Sequence, residues 1–173
     1  MSAYNLAGIL AHHADRVPDR PCLVWSGETI TYAELDRRAA RTAAGLARLG
    51  VGRGDVVAVL LYNCPEFLEA MFAAARLGAV FMPMNWRLAG EEIAYIAGHA
   101  GARLVVSEPE LAALAEAARK DLAGAQVVGV AGTAPGWTAF ESLREGGQAP
   151  PLADVAADDV HRLMYTSGTT ARP

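Results

Sequence analysis

Apolar runs alternate with helical patterns through the central part of the chain, residues 55–131. The run VVAVLLY, from Val56 to Tyr62, is rich in β-branched residues and nearly unbroken, as expected of a strand that is buried on both faces. The stretch PEFLEAMFAAARLG follows, in which Pro65 suits the first helical turn and Gly78 suits the position just past the helix end. Repeated β–α units of this kind predict an α/β fold with a doubly wound, mostly parallel sheet flanked by helices.

The same alternation predicts the remaining elements of residues 55–131 and a last strand near the end of the chain. A connection rich in Gly and Pro, residues 132–159, joins this region to the last strand and contains one predicted helical turn near Trp137 to Leu143. The other predicted strands are Ala79 to Met84, Arg103 to Ser107, Gln126 to Val130 and Val160 to Thr166, and the other predicted helices cover residues 89–101 and 109–124.

The first 54 residues form a separate lead-in with a helix–hairpin–helix pattern. Leu6 to Val17 is predicted to be a helix, and PCLVWSGETITY is predicted to be a hairpin with Ser26-Gly27 as its turn. The clearest helix starts at Thr31, which forms with Glu34 the T-x-x-E pattern of a capping box. Its apolar stripe is Leu35, Ala39, Ala43, Leu46 and Leu49, and its arginines, Arg37, Arg38, Arg41 and Arg48, are interpreted as a solvated face rather than a binding patch.

Composition narrows the class of protein. The 173 residues suit one domain or one large piece of a bigger domain, and the 53% hydrophobic content supports a buried core. The net charge is -4 and no basic block occurs, so we expect no nucleic-acid partner. The N-terminus lacks a signal-peptide pattern, and no apolar run reaches the roughly 18 residues of a membrane span. We therefore expect no transmembrane segment and a cytoplasmic location, in which Cys22 and Cys64 are free thiols.

Several candidate sites fail on their spacing. LGVGRGD, from Leu49 to Asp55, reads G-x-G-x-G and leads out of a helix into a strand, whereas the dinucleotide fingerprint is G-x-G-x-x-G at the start of a helix. His12 and His13 are adjacent, so on a helix they point in different directions, and we expect one exposed and one half-buried ring. His99 and His161 stand alone, and no metal site is predicted. Neither G-x-S-x-G nor a Walker P-loop occurs.

The sequence TSGTT, directly after the last predicted strand, is the remaining candidate. Ligand sites in open α/β sheets lie just beyond such strand ends. Four hydroxyl groups in five residues, a glycine that permits close backbone approach, and turn N–H groups could together bind phosphate oxygens. The alternative is a plain Ser/Thr/Gly turn. The candidate residues are Thr166, Ser167, Gly168, Thr169 and Thr170.

Three stretches together resemble, in order, the first three core motifs of the adenylate-forming superfamily. They are ITYAEL (residues 30–35), ARLGAVFMPMNWRL (75–88) and LMYTSGTTARP (163–173). The superfamily includes acyl- and aryl-CoA synthetases, adenylation domains of peptide synthetases and beetle luciferases. The resemblance covers essentially the whole chain and implies the N-terminal part of the large, AMP-binding domain. The stretch MPMNWRL is closer to the N-x-R-L form of bacterial fatty-acyl or medium-chain acyl-CoA synthetases than to the form usual in peptide synthetases.

This resemblance implies an enzyme that makes acyl-AMP from ATP and a carboxylic acid, a fatty acid in the most similar group, and transfers the acyl group to CoA. It implies ATP, Mg²⁺ and CoA as cofactors. It also implies that Tyr165 ends the last strand, that Asn85 and Arg87 are structural, and that Trp86 has a packing role. The residues implied to hold the β- and γ-phosphates of ATP are Thr166, Ser167, Gly168, Thr169 and Thr170.

Two departures from the family pattern T-S-G-T-T-G-x-P-K follow the loop. Ala171 replaces the glycine, and the expected lysine would be the residue after Pro173. The family's Mg²⁺ ligand, acyl pocket and adenylation lysine belong to later parts of such enzymes. The resemblance therefore implies that residues 1–173 are an N-terminal portion with no catalytic residue and no metal ligand of its own, and that this polypeptide alone is inactive.

Other functions stay open at this point. One is an adenylation enzyme that loads a carrier protein or another acceptor instead of CoA, and another is a non-catalytic anion-binding module built on TSGTT. An isolated portion of such a sheet would also expose strand edges that favour self-association. The sequence does not identify the acid or its chain length, because the acyl pocket is built by later residues.

Overall fold

The structure is a computed structural model that describes residues 5–120, 122 and 124–166. Strands and helices alternate along most of these residues. Within these residues the strands are β1 (Pro21–Trp25), β2 (Glu28–Thr31), β3 (Val56–Leu60), β4 (Val80–Pro83), β5 (Ala102–Ser107), β6 (Gln126–Gly129) and β7 (Thr138–Ala139). The helices are α1 (Leu6–Arg16), α2 (Tyr32–Arg48), α3 (Pro65–Leu77), α4 (Gly90–Ala100), α5 (Ala112–Arg119) and α6 (Phe140–Leu143), and a 3₁₀ turn (Pro109–Leu111) precedes α5.

A five-stranded parallel sheet lies at the centre, in the strand order β4-β3-β5-β6-β7. Its register brings Val57 of β3 opposite Phe81 of β4 on one side and Leu104 of β5 on the other. The order of strands reverses at β3, because the chain goes from β3 outward to β4 and then returns to β5. The predicted doubly wound, mostly parallel sheet flanked by helices is confirmed.

Strand β3 shows why both faces of the sheet carry helices, since all five of its residues are buried. Val57 and Val59 face one apolar cluster, to which α2 and α3 contribute, whereas Val56, Ala58 and Leu60 face a second cluster, to which α4 and α5 contribute. Side chains of a strand alternate between the two faces, so an unbroken apolar run requires an apolar partner on each.

The lead-in also follows its local sequence signals. Ser26 and Gly27 both have positive φ, 47° and 86°, as a two-residue hairpin turn between right-twisted strands requires. The Thr31 hydroxyl accepts a hydrogen bond from Glu34 N at 3.2 Å and caps α2. The Glu34 carboxylate binds Arg37 and Arg38, so two of the arginines form ion pairs on the helix surface.

The predicted strand from Val160 to Thr166 is shorter than expected. Its pairing with β4 is a single parallel bridge between Phe81 and Arg162, with Phe81 N donating to His161 O and Leu163 N donating to Phe81 O, both at 3.0 Å. The next donor that β4 would supply to this ladder is the backbone N–H of its residue 83. That residue is proline, which has no N–H, so the ladder does not continue in the normal way.

Two other elements also differ from the prediction. The helix predicted over residues 109–124 starts as a 3₁₀ turn and its α-helical part ends at Arg119. The connection over residues 132–159 contains an additional short strand, β7, before the predicted helical turn α6. Strand β7 has two residues and depends on its pairing with β6, so its own sequence carries little signal.

A buried ion pair fixes this connection to the helices. Glu69 of α3 is fully buried, and Arg144, which follows α6, donates to its two carboxylate oxygens at 2.7 and 2.6 Å. The Thr42 hydroxyl of α2 also donates to Glu69, and Arg144 reaches Glu66 at 3.3 Å. The desolvation cost of a buried ion pair is offset only when its hydrogen bonds are well aligned. This requirement fixes the position of α6 relative to α2 and α3.

Candidate functional site

The carboxyl ends of the parallel strands bring polar and aromatic residues to one edge of the sheet. Tyr62 follows β3, Asn85 to Arg87 follow β4, and Glu108 follows β5. The segment that bridges to Phe81 of β4 at Arg162 runs in the same direction as β4. In open parallel sheets, ligands bind at this edge, where the strand order reverses, and in this sheet the reversal is at β3.

A tight turn connects β4 to α4. The Asn85 side chain accepts a hydrogen bond from Arg87 N at 3.0 Å, and Leu88 N donates to Asn85 O at 3.1 Å. Trp86 remains 37% exposed, packs edge-on against Tyr62 with 4.9 Å between ring centroids, and lies 4.7 Å from the Arg87 guanidinium. Asn85 therefore shapes the turn, while Trp86 and Arg87 form an aromatic and cationic surface at the edge.

Glu108 links two neighbouring strand ends. Its carboxylate accepts a hydrogen bond from the backbone N–H of Tyr62 at 2.6 Å. A charged acceptor makes a stronger bond than a neutral one, so the ends of β3 and β5 are held together where the candidate site begins. This contact joins residues 46 positions apart, and sequence reasoning did not find it.

The predicted phosphate loop begins shortly after the Arg162 bridge to β4. Tyr165 is half-buried, and Thr166, which follows it, is exposed. Thr166 is the one residue of the five predicted phosphate ligands that belongs to the described part of the chain. The other four, Ser167, Gly168, Thr169 and Thr170, lie outside the described residues, as does Ala171.

His99 makes a contact that sequence reasoning missed. Its Nδ1 lies 2.6 Å from the Tyr165 hydroxyl, and its ring stacks on Tyr95 of the same helix with centroids 5.6 Å apart. His99, which the sequence showed only as a histidine outside any metal-ligand spacing, thus has two tyrosine neighbours. The two hydrogen-bonded partners are 66 residues apart, and only the return of the chain beside β4 brings them together.

The remaining titratable candidates do not form a reactive centre in the structure. His12 and His13 are both exposed, which corrects the expectation of one half-buried ring, and the described residues contain no cluster of three metal-ligating side chains. Burial raises the pKa of the Cys64 thiol to about 11, so this cysteine stays protonated near neutral pH and is a poor nucleophile. Among the described helices, none has the length and apolar content to cross a membrane.

Known proteins share both the sequence and the fold. The chain is 44% identical to 4-coumarate–CoA ligase 3 of Oryza sativa subsp. japonica, over 89% of this chain and 28% of that enzyme. It is 35% identical to a long-chain-fatty-acid–CoA ligase of Mycobacterium tuberculosis, over 83% of this chain and 28% of that enzyme. The crystal structure of an anthranilate CoA ligase in complex with anthranoyl-AMP matches 98% of this chain and 33% of that one, with a TM-score of 0.92 and 25% identity.

The chain thus spans about a third or less of the length of these proteins. A family model described as AMP-binding enzyme matches residues 10–173, which includes the hairpin, the whole parallel sheet and the TSGTT sequence. This match confirms the resemblance to the adenylate-forming superfamily that the three sequence motifs indicated. The chain belongs to the AMP-binding enzyme family.

Proposed function

We propose that the protein containing this chain is an ATP-dependent acid–CoA ligase of the AMP-forming type. It would activate a carboxylic acid as acyl-AMP with release of pyrophosphate and then transfer the acyl group to the thiol of CoA. The observation that carries this proposal is the family match over residues 10–173 together with relatives that are named CoA ligases. The chemical logic is that a carboxylate has a poor leaving group, and adenylation supplies a good one. ATP, Mg²⁺ and CoA are the proposed cofactors.

The proposed role of this chain is to hold the β- and γ-phosphates of ATP. This role is supported by the order of the chain, since Thr166 follows a segment that pairs with β4 in parallel, and ligand sites in such sheets lie beyond strand ends. Hydroxyl and backbone N–H donors can bind phosphate oxygens without a fixed cation. The proposed phosphate ligands are Thr166, Ser167, Gly168, Thr169 and Thr170.

A double substitution tests this loop directly. Thr169→Val and Thr170→Val together remove two hydroxyl donors and keep the β-branched shape. We expect the KM for ATP of the whole protein to rise by about a hundredfold or more, as expected for two lost hydrogen bonds to a charged group. Thr29→Val is the matched control, since Thr29 is an exposed threonine in β2, in the separate two-stranded hairpin. An unchanged KM for ATP in the double variant would show that the loop is not the phosphate site.

The acid is proposed to be a fatty acid, with an aryl-propenoic acid as the competing class. The N-x-R-L form of residues 85–88 favours the fatty acid, and a relative named for long-chain fatty acids supports it. The relative named for 4-coumarate supports the aryl class.

ATP–pyrophosphate exchange by the whole protein tests the reaction and the acid together. We expect exchange that depends on a fatty acid, followed by formation of the acyl-CoA when CoA is added. Exchange with 4-coumarate alone would replace the fatty acid by the aryl class. Transfer of the acyl group to a carrier protein and not to CoA would identify a carrier-loading enzyme instead of a CoA ligase. ATP binding without exchange for any acid would support the non-catalytic anion-binding module.

The 173-residue polypeptide by itself is proposed to be inactive in this exchange. Residues 1–173 correspond to 28% of the coumarate and fatty-acid ligases, and within the described residues no group of metal-ligating side chains occurs. The whole protein is the positive control under the same conditions. Acid-dependent acyl-AMP formation by purified residues 1–173 would overturn this part of the proposal.

A further inference from the structure

The hydrogen bond between His99 and Tyr165 lies one residue before the proposed phosphate loop. His99 is the penultimate residue of α4, and its Nδ1 is 2.6 Å from the Tyr165 hydroxyl. The two rings meet edge-on, with centroids 5.8 Å apart and an angle of 87° between their planes. A helix on one face of the sheet is thus joined to the residue that precedes Thr166.

The main chain does not provide this anchor. In the part of the chain that the structure describes, the last backbone hydrogen bond from this segment to the sheet is Leu163 N to Phe81 O, at 3.0 Å. Pro83 removes the N–H that would donate next in the ladder. Tyr165, two residues beyond, is held through its side chain, which packs on the α4 side of the sheet and bonds to His99.

The protonation state of Tyr165 allows the bond near neutral pH. Burial raises the pKa of Tyr165 above its usual value of 10, and Tyr95 adds to the shift. The phenol is therefore a hydroxyl that can donate to Nδ1 of a neutral imidazole. A protonated imidazole would instead donate to the phenol oxygen, so the contact is possible in both states of His99.

We propose that His99 is a positioning residue for ATP, which acts by fixing Tyr165 and with it the direction in which the chain enters the loop Thr166 to Thr170. This inference rests on the proposed function, in which that loop holds the phosphates. Without the bond, the residues between Leu163 and the loop have more conformations, and ATP binding has to select one of them. The cost then appears in the affinity for ATP and not in the affinity for the acid.

Kinetics of pyrophosphate exchange by the whole protein test the inference. His99→Leu and Tyr165→Phe are each expected to raise the KM for ATP by about three- to tenfold, the range for one lost hydrogen bond, with the KM for the acid unchanged. The KM for ATP of the double variant is expected to be no higher than the higher of the two single-variant values, because both substitutions remove the same bond. His99→Asn is expected to stay within about twofold of the unsubstituted protein, since its amide can donate or accept at the place of Nδ1. The matched control is His12→Leu, which removes an exposed helical histidine of the lead-in.

A second measurement does not depend on activity. Amide hydrogen exchange of the peptide covering residues 163–170 is expected to be faster in His99→Leu than in His12→Leu, and restored in His99→Asn. An unchanged KM for ATP in His99→Leu, or additive effects in the double variant, would overturn the positioning role while leaving the proposed function intact. If the unsubstituted protein shows no ATP-dependent exchange with any acid, the proposed function fails and the role in ATP binding fails with it. The amide-exchange comparison then still reports whether His99 holds the segment.

Discussion

At the scale of single residues, the carboxylate of Glu69 depends on the hydrogen bonds and the charge of its partners. It is fully buried, and Arg144 donates to both of its oxygens. The substitution Arg144→Met would leave this charge buried without its cation, and we expect the free energy of unfolding to fall by about 3–5 kcal/mol. The shift of the denaturant midpoint of the whole protein is the measurement.

Two further variants separate lost charge pairing from lost contact area. In the double variant Glu69→Gln with Arg144→Met, no charge is left buried, so its midpoint should lie above that of Arg144→Met alone. Arg37→Met removes an arginine from an exposed pair with Glu34, and its effect should stay within about 0.5 kcal/mol. Equal losses for Arg144→Met and Arg37→Met would contradict the importance of the buried pair.

Glu116 gives a residue-scale prediction for pH. The Trp137 indole N–H donates to it at 2.8 Å and Arg119 donates at 2.5 Å, and these two contacts hold its pKa below the usual value of 4.5. A carboxyl whose pKa is lowered in the folded state stabilises that state above its unfolded pKa, and the contribution is lost as the pH falls through the folded pKa. The stabilisation from Glu116 is therefore expected to be complete at neutral pH and to be lost as the pH falls below the usual pKa of 4.5 and through the lowered pKa of the folded state.

The variant Glu116→Gln keeps an acceptor for the indole and cannot ionise. Thermal midpoints measured from about pH 7 to pH 3 should show the unsubstituted protein more stable at neutral pH, with the difference shrinking below pH 4.5. Glu110→Gln, in the 3₁₀ turn before α5, is the control for removing a nearby negative charge. A difference between the Glu116 variant and the unsubstituted protein that stays constant over the whole range would argue against this ionisation.

At the scale of elements, the contact between α2 and α6 depends on a residue without a side chain. A Cβ on Gly45 would lie 2.5 Å from the backbone of Leu143, so alanine there forces the helices apart. We expect Gly45→Ala to lower the free energy of unfolding by about 1–3 kcal/mol. Gly98 of α4 is the matched control, because a Cβ added to this helical glycine would have nothing within 4 Å.

The expected sign for the control is opposite. Gly98→Ala should raise the free energy of unfolding by about 0.5–1 kcal/mol, because alanine loses less conformational entropy in a helix than glycine. Denaturant midpoints of the two variants provide the comparison. A Gly45→Ala variant as stable as Gly98→Ala would mean that α6 does not pack against α2 in the way the structure shows.

Elements with strong local signals could be predicted from the sequence. The unbroken apolar run at β3, the proline and glycine that bound α3, and the threonine cap of α2 each act within a few residues of the chain, and all three elements are present. The doubly wound, mostly parallel sheet followed from the repeated β–α units. The sequence also placed the start of the candidate loop after a segment that runs beside the sheet.

Contacts between distant parts of the chain could not be predicted in the same way. The partner of Glu69 is 75 residues away, and the partner of His99 is 66 residues away. Strand β7 exists through its pairing with β6, and the segment after Val160 loses its ladder because of a proline in another strand. Each of these depends on which strands become neighbours, and a local pattern does not contain that information.

At the scale of the whole molecule, the described residues include two places where two exposed apolar side chains lie close together in the sequence. Val24 and Trp25 on the hairpin are 66% and 40% exposed, and Val160 and Met164 beside β4 are 57% and 70% exposed. The last two are an even number of residues apart along an extended segment, so they share one face. Since this chain covers 28% of its ligase relatives, these surfaces are candidates for contact with the remainder of such a protein.

The polypeptide of residues 1–173, produced alone, is therefore expected to self-associate through the segment beside β4. That segment has one strand neighbour in the described structure, and an apolar strand at a sheet edge can pair with another chain. Met164→Lys should shift the molecular mass measured by light scattering towards the monomer, because an edge lysine opposes pairing. Ile9→Lys changes an equally apolar, 53% exposed residue on α1 and should leave the mass unchanged. A monomeric mass at all concentrations would show that the exposed edge does not mediate association. An equal shift of mass in Met164→Lys and Ile9→Lys would show that association does not depend on the segment beside β4.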